Sequence, residues 1–109
     1  MTIEAILRER LGVEPEIIAE FCRKWQVKEL SLFGSALRDD FRPDSDVDLL
    51  VAFLEPHRSL GSWMEELDEM KEELKAIFGR DVDLGEKRLL KNPFRRHSIL
   101  TTKQVIFAA

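Results

Sequence analysis

Two short stretches decide how the sequence reads: Leu32-Phe33-Gly34-Ser35 and, ten residues on, Asp46-Val47-Asp48-Leu49-Leu50-Val51. The first is an apolar run closed by a Gly-Ser pair. The second opens an apolar run with two carboxylates at alternate positions. In a strand, residues two apart project to the same face, so Asp46 and Asp48 share one side with Cα atoms roughly 7 Å apart. Unaided, they repel each other, and a hydrophobic strand beside them partly desolvates both, which costs stability. A hard divalent cation removes both penalties, because Mg²⁺ prefers oxygen ligands and is commonly held by one or two carboxylates together with substrate phosphates. The pair therefore points to a divalent ion carrying a nucleoside triphosphate.

The Gly-Ser pair supplies the complementary half. A glycine at a strand end lets a phosphate approach the backbone closely. The turn after it offers amide N–H groups, and Ser35 a hydroxyl, to phosphate oxygens. Arg38, about one helical turn beyond Ser35, adds a guanidinium suited to bidentate phosphate contacts.

Around these stretches the pattern is mixed. Ile3, Ile6, Leu7 and Leu11 fall at helical spacing with Gly12 as a stop, and a second helix starts at Pro15 and buries Ile17, Ile18, Phe21, Cys22 and Trp25. A short strand covers Leu30–Phe33, one helical turn Ser35–Arg38, and a polar loop Asp39–Ser45. The strand from Asp46 to about Leu54 is apolar on both faces after Asp48, which predicts a central position, and Pro56 ends it. The longest helix is expected to begin with a Ser62/Glu65 capping box, to bury Trp63, Met64, Leu67, Met70, Leu74, Ile77 and Phe78, and to stop at Gly79. Asp81-Val82-Asp83-Leu84 reads as a third strand, again with two acids on one face. A short helix at Leu89–Leu90, a helix from Pro93 after an Asn92 cap, and an edge strand over Gln104–Ala108 complete the chain. The expected class is α/β (α+β): a small mixed sheet flanked by helices, in a single domain over 1–109.

Composition narrows the function classes. The chain has 109 residues, 44% apolar and 35% charged, and a formal charge of −4. Such an acidic balance argues against a general nucleic-acid binder, whose affinity comes from basic clusters, but not against a mononucleotide site. One cysteine, Cys22, excludes an internal disulfide framework and a Cys-rich zinc site, and is expected to be a buried apolar side chain. His57 and His97 are separated and are assigned to the surface or an interface. Trp25 and Trp63 lie on helix stripes and are assigned to the core. No apolar run approaches the ~20 residues of a membrane span, and Glu4 stands where a secretory signal carries positive charge, so a cytoplasmic protein is expected.

Each motif alone has an ordinary reading. Asp-X-Asp pairs are common at strand ends, Arg38 can pair with Asp39 or Asp40 on the surface, and Asp81 and Asp83 can protect an exposed strand edge. The conjunction is what carries weight: a strand, Gly-Ser, a polar loop, Asp-X-Asp entering a central strand, and a third strand acid, Asp83, after a long helix. Three carboxylates on one face are what nucleotidyl transfer with two metal ions requires.

Gly34-Ser35-Ala36-Leu37-Arg38 followed by Ser45-Asp46-Val47-Asp48-Leu49-Leu50-Val51 resembles the Gly-Ser…Asp-X-Asp signature of the DNA polymerase β-like nucleotidyltransferase superfamily. Over essentially its whole length the chain is similar to the minimal nucleotidyltransferases (MNT) that act as antitoxins beside HEPN-type toxins. The resemblance implies that Gly34 and Ser35 hold the β/γ-phosphates of the nucleotide, beside the Arg38 already placed there, that Asp46 and Asp48 bind Mg²⁺, and that Asp83 is the third carboxylate, as metal ligand or base. It implies AMP transfer from ATP to a hydroxyl of a partner protein, a HEPN ribonuclease toxin. One position departs from the pattern: Asp39 stands where many members carry glycine. Two alternatives accompany this expectation. One is an antitoxin that works by complex formation alone, through apolar residues such as Ile99, Leu100, Val105, Ile106 and Phe107 or around His57–Leu60. The other is a small-molecule nucleotidyltransferase, which the short chain disfavours because it leaves little room for an acceptor domain.

Overall fold

A computed structural model of the chain describes residues 2–37, 41–42, 44–54, 60–86 and 92–109 and, for residues 35, 36, 60–64, 86, 95 and 96, the backbone only. The N-terminal helix, α1 (Ile3–Ala5), runs directly into a wider π-helical turn over Ile6–Arg10, and Thr2 caps it by accepting the Ala5 N–H at 3.2 Å. Helix α2 (Pro15–Lys24) begins on the proline, whose fixed φ suits a first helical position, and carries Arg23 and Lys24 in its last turn, where cations meet the helix dipole favourably. Strand β1 (Val27–Phe33) follows, then a 3₁₀ turn over Gly34–Leu37, strand β2 (Val47–Phe53), helix α3 (Leu60–Phe78), strand β3 (Val82–Glu86), helix α4 (Pro93–Thr102) and strand β4 (Gln104–Ala108).

The strands form one mixed sheet in the order β3-β2-β1-β4. β1 is antiparallel to both β2 and β4, whereas β2 and β3 are parallel. Parallel neighbours require a crossover, and α3 is that crossover. The sequence-based expectation of a central β2 and an edge β4 is borne out. Alternation then sorts the side chains. Leu30, Leu32, Val47, Leu49, Val51, Val82 and Leu84 face the helical layer and form one core with Ile18, Phe21 and Cys22 of α2 and Met70, Leu74 and Phe78 of α3. The other face carries Glu29, Ser31, Asp48, Leu50 and Asp83, by register with the first set.

Several local expectations shift. β1 begins at Val27 rather than Leu30, because a bulge between Val27 and Glu29 breaks the period-two pattern and returns Val27 to the core face, where it is 1% exposed. α3 begins at Leu60, so Ser62 lies inside the helix and is not its cap. Gly79 does stop it: its φ of +67° is left-handed, and its N–H donates to Lys75 O at 2.8 Å. Asn92 caps α4 as expected, its Oδ1 accepting the Phe94 N–H at 3.0 Å. Trp25 packs partly buried against the core and donates its indole N–H to Glu73 at 3.1 Å, which ties α2 to α3 as a core-side tryptophan should. Ile99, expected at an exposed contact surface, is buried. Pro56, His57 and Leu89–Leu90 lie outside the described residues, as does the Trp63 side chain; His97 is exposed. Among the described residues, no helix is long and apolar enough to cross a membrane.

Candidate active site

The strand register brings the acids together. Phe33, the last residue of β1, pairs with Asp48, and Asp48 pairs in parallel register with Asp83. Paired residues of neighbouring strands project to the same face about 4.8 Å apart, so the two carboxylates stand side by side. Asp46, two residues before Asp48, is held just ahead of β2 by the first rung of the parallel ladder, in which Val47 N–H donates to Asp81 O at 2.9 Å. Of the residues predicted for the site, Asp46, Asp48, Asp83 and Gly34 are thus gathered at one end of the sheet. Ser35 follows in the 3₁₀ turn, and Arg38 lies outside the described residues.

Gly34 touches this group directly. Its φ is +73°, a left-handed conformation costly for any residue with a Cβ. A Cβ placed there would also lie 3.2 Å from the Asp48 Cγ and would overlap its Oδ2. The Gly-Ser turn and the Asp-X-Asp strand, ten residues apart in sequence, therefore share one contact that only glycine permits.

The loop leading to Asp46 is pinned by Arg80, which no pattern in the sequence singles out. Its guanidinium donates to Arg42 O at 3.3 Å and Ser45 O at 3.5 Å and lies 4.7 Å from the centre of the Phe41 ring. Within the loop, Ser45 N–H donates to Arg42 O at 3.0 Å, and Ser45 Oγ accepts the Arg42 N–H at 3.1 Å. Arg80 thus fastens the approach to Asp46 onto the start of β3. Its Nε is buried and makes no hydrogen bond among the described residues.

Two clefts flank the acids. One, of about 410 Å³, lies beside Gly34 and is lined by Phe33, Leu37 and the α4 residues Ser98, Ile99 and Thr102. The other, of about 360 Å³, opens at the β3 edge between Asp46, Asp81, Asp83 and two lysines of α3, Lys71 and Lys75. Among the described residues, no three His, Cys, Asp or Glu side chains converge into a ready-made metal cage. The donor set is nonetheless all-carboxylate and suits a hard ion that takes its remaining ligands from phosphate oxygens, the usual manner of Mg²⁺. Cys22 has no part here: it is fully buried in α2, and desolvation pushes its thiol up to about 12.

The model of the family described as "Nucleotidyltransferase domain" matches residues 14–106. The chain belongs to that family. A Methanocaldococcus jannaschii protein, MJ1217, provisionally assigned as a protein adenylyltransferase, is 32% identical over 93 residues, which cover 85% of this chain and 87% of its own length. Among solved structures, a toxin–antitoxin complex with AMP-PNP superposes with a TM-score of 0.67 at 19% identity, over 89% of this chain and 75% of the other. A complex of a tri-AMPylated Shewanella oneidensis HEPN toxin with an MNT antitoxin gives a TM-score of 0.58 at 20% identity, over 87% and 70%. At such identities the structural likeness shows a common fold. For this nucleotidyltransferase, the fold and family expected from Gly34-Ser35 and Asp46-X-Asp48 are borne out.

Proposed function

We propose that the chain is a Mg²⁺-dependent protein adenylyltransferase that moves AMP from ATP to a hydroxyl of a HEPN-type toxin and so acts as its cytoplasmic antitoxin. Residues 1–109 act as one catalytic unit in this reading. The observation that carries it is the pairing of Asp48 with Asp83 across β2 and β3, directly against Gly34. Asp46, Asp48 and Asp83 would hold the ion, which when bound neutralises the triphosphate and makes the α-phosphorus more electrophilic. The backbone at Gly34, the Ser35 hydroxyl and Arg38 hold the phosphates, and the cleft beside Gly34 is the space open to the nucleoside. The acceptor oxygen attacks the α-phosphorus while the bond to the oxygen bridging the α- and β-phosphorus breaks, and pyrophosphate leaves with that oxygen. Asp83, the outermost of the three acids, takes the acceptor proton and passes it to solvent.

The relatives support this reading in kind: MJ1217 is provisionally assigned as a protein adenylyltransferase, and structures of the same fold hold an ATP analogue or an AMPylated HEPN toxin. The test is the intact mass of the HEPN partner after incubation with this chain, ATP and Mg²⁺. It should rise by one or more adenylyl groups, and Asp46→Ala with Asp48→Ala should abolish the rise. An unchanged partner mass with both proteins folded overturns the reading. Neutralisation by binding alone is favoured by one observation, the exposed apolar side chains of Phe94 (85%) and Val105 (41%). A double mutant at Asp46 and Asp48 that still protects cells from the toxin would select that second reading.

A further inference from the structure

The cleft at the β3 edge shares Asp46 and Asp83 with the proposed ion site, but its α3 wall, Lys71 and Lys75, has no role in nucleotide binding as described. Across the sheet the order is Gly34, Asp48, Asp83 and then this cleft, so it lies on the side of Asp83 away from the phosphate-binding turn. It is the side from which an acceptor can reach Asp83 without crossing the triphosphate. Its wall is unusual for such a place. Lys71 and Lys75, one turn apart on α3, line a cleft of about 360 Å³ at the β3 edge together with Asp46, Asp81, Val82 and Asp83. Lys75 is engaged, 3.4 Å from Glu72 and 3.9 Å from Asp81. Lys71 makes no ion pair among the described residues, so its charge is available to a ligand.

We infer that this cleft is the acceptor subsite and that Lys71, backed by Lys75, selects a hydroxyl flanked by an acidic side chain. An acceptor entering a site walled by carboxylates is repelled if it carries its own negative charge, unless a cation meets it there. Lys71 supplies that cation at the cleft wall, and charge-assisted hydrogen bonds are stronger than neutral ones. The inference rests on the nucleotidyl-transfer reading and adds to it the chemistry of the acceptor. Lys71 is a specificity residue in this account, and it takes no part in the bond-making step.

The test uses the full chain with [α-³²P]ATP and three peptides in which a hydroxyl-bearing residue is flanked by Glu, Gln or Lys. The native chain should use the Glu peptide with kcat/KM about tenfold above the Gln peptide, through KM, as expected for one charge-assisted contact. Lys71→Gln should erase the preference, Lys71→Glu should shift it to the Lys peptide, and Lys71→Arg should retain it, with the KM for ATP unchanged in all three. A preference that survives Lys71→Glu, or a native chain that labels all three peptides equally, overturns the inference and leaves the transfer reading standing. Failure to label either the peptides or the HEPN partner overturns both.

Discussion

The two faces of the sheet are built from the same strands and do opposite things. On one, Leu49 and Val82 are 0% and 3% exposed and share a core with three helices. On the other, the very next residues, Asp48 and Asp83, bring two like charges side by side. Like charges directly opposite in a sheet destabilise it, whereas burial of the apolar face is the main source of stability. The arrangement is tolerable because the acids lie at the ends of their strands, and because the apolar face holds the register that places them. In the proposed function, stability and chemistry are therefore separated by a single residue step, and a one-residue slip would exchange them.

Substitutions one step apart should break that separation cleanly. Asp83→Asn is expected to lower AMP transfer at least about 100-fold, as for loss of a group that acts in the transition state, while leaving thermal stability unchanged or slightly raised. Leu49→Ala, on the other face, should cost about 2–5 kcal/mol in denaturant unfolding, the range for a fully buried leucine. A folded fraction of Leu49→Ala should retain its specific activity. If Asp83→Asn unfolds the chain, the two faces are not independent.

Gly34→Ala tests the one place where the faces depend on each other. The left-handed φ adds roughly 1–2 kcal/mol of strain, and the new methyl must displace the Asp48 carboxylate. Both readouts should fall together, with transfer down by about 100-fold, the loss expected when a reacting group is misplaced by about 1 Å. A fully active Gly34→Ala would mean that Asp48 is not used in the position described.

The smallest effect near neutrality concerns Cys22. Its thiol is pushed up to about 12 by burial, while an unfolded cysteine titrates near 8.5. Above about pH 9 the unfolded chain loses this proton and the folded chain keeps it, so unfolding becomes easier as pH rises toward 12. Well below pH 8.5 the residue contributes no slope. Compared by urea unfolding at pH 7 and pH 10.5, Cys22→Ala should show a shallower loss than the native chain, by about 2–3 kcal/mol. Equal losses would place the thiol in contact with solvent.

Much of this separation was legible in the sequence. The run after Asp48, apolar on both faces to about Leu54, marked a strand covered on both sides, and the stripe Met70, Leu74, Phe78 marked the helix that crosses back over it. The Gly34-Ser35 and Asp46-X-Asp48 spacing reached the family. What escaped was set by pairing rather than by pattern. Asp83 could be placed on a face but not opposite Asp48, because register is a property of two strands. The bulge after Val27 hid the first half of β1, and Gln26, at a left-handed φ of +56°, makes a turn that an unbranched polar residue does not announce. Ile99 is buried although Phe94, His97 and Ser98 around it on α4 are exposed, so no apolar stripe marks its position. Lys71 and Lys75 were legible as an i, i+4 pair, but their meaning depends on the cleft they share with Asp46 and Asp83.

The most direct measurement of the central claim follows the label. With the HEPN partner and Mg²⁺, the chain should transfer radioactivity to the partner from [α-³²P]ATP and none from [γ-³²P]ATP, and Asp83→Asn should abolish the transfer. Label appearing from the γ-position, or α-label undiminished in Asp83→Asn, would contradict a nucleotidyl-transfer site built on Gly34, Asp46, Asp48 and Asp83.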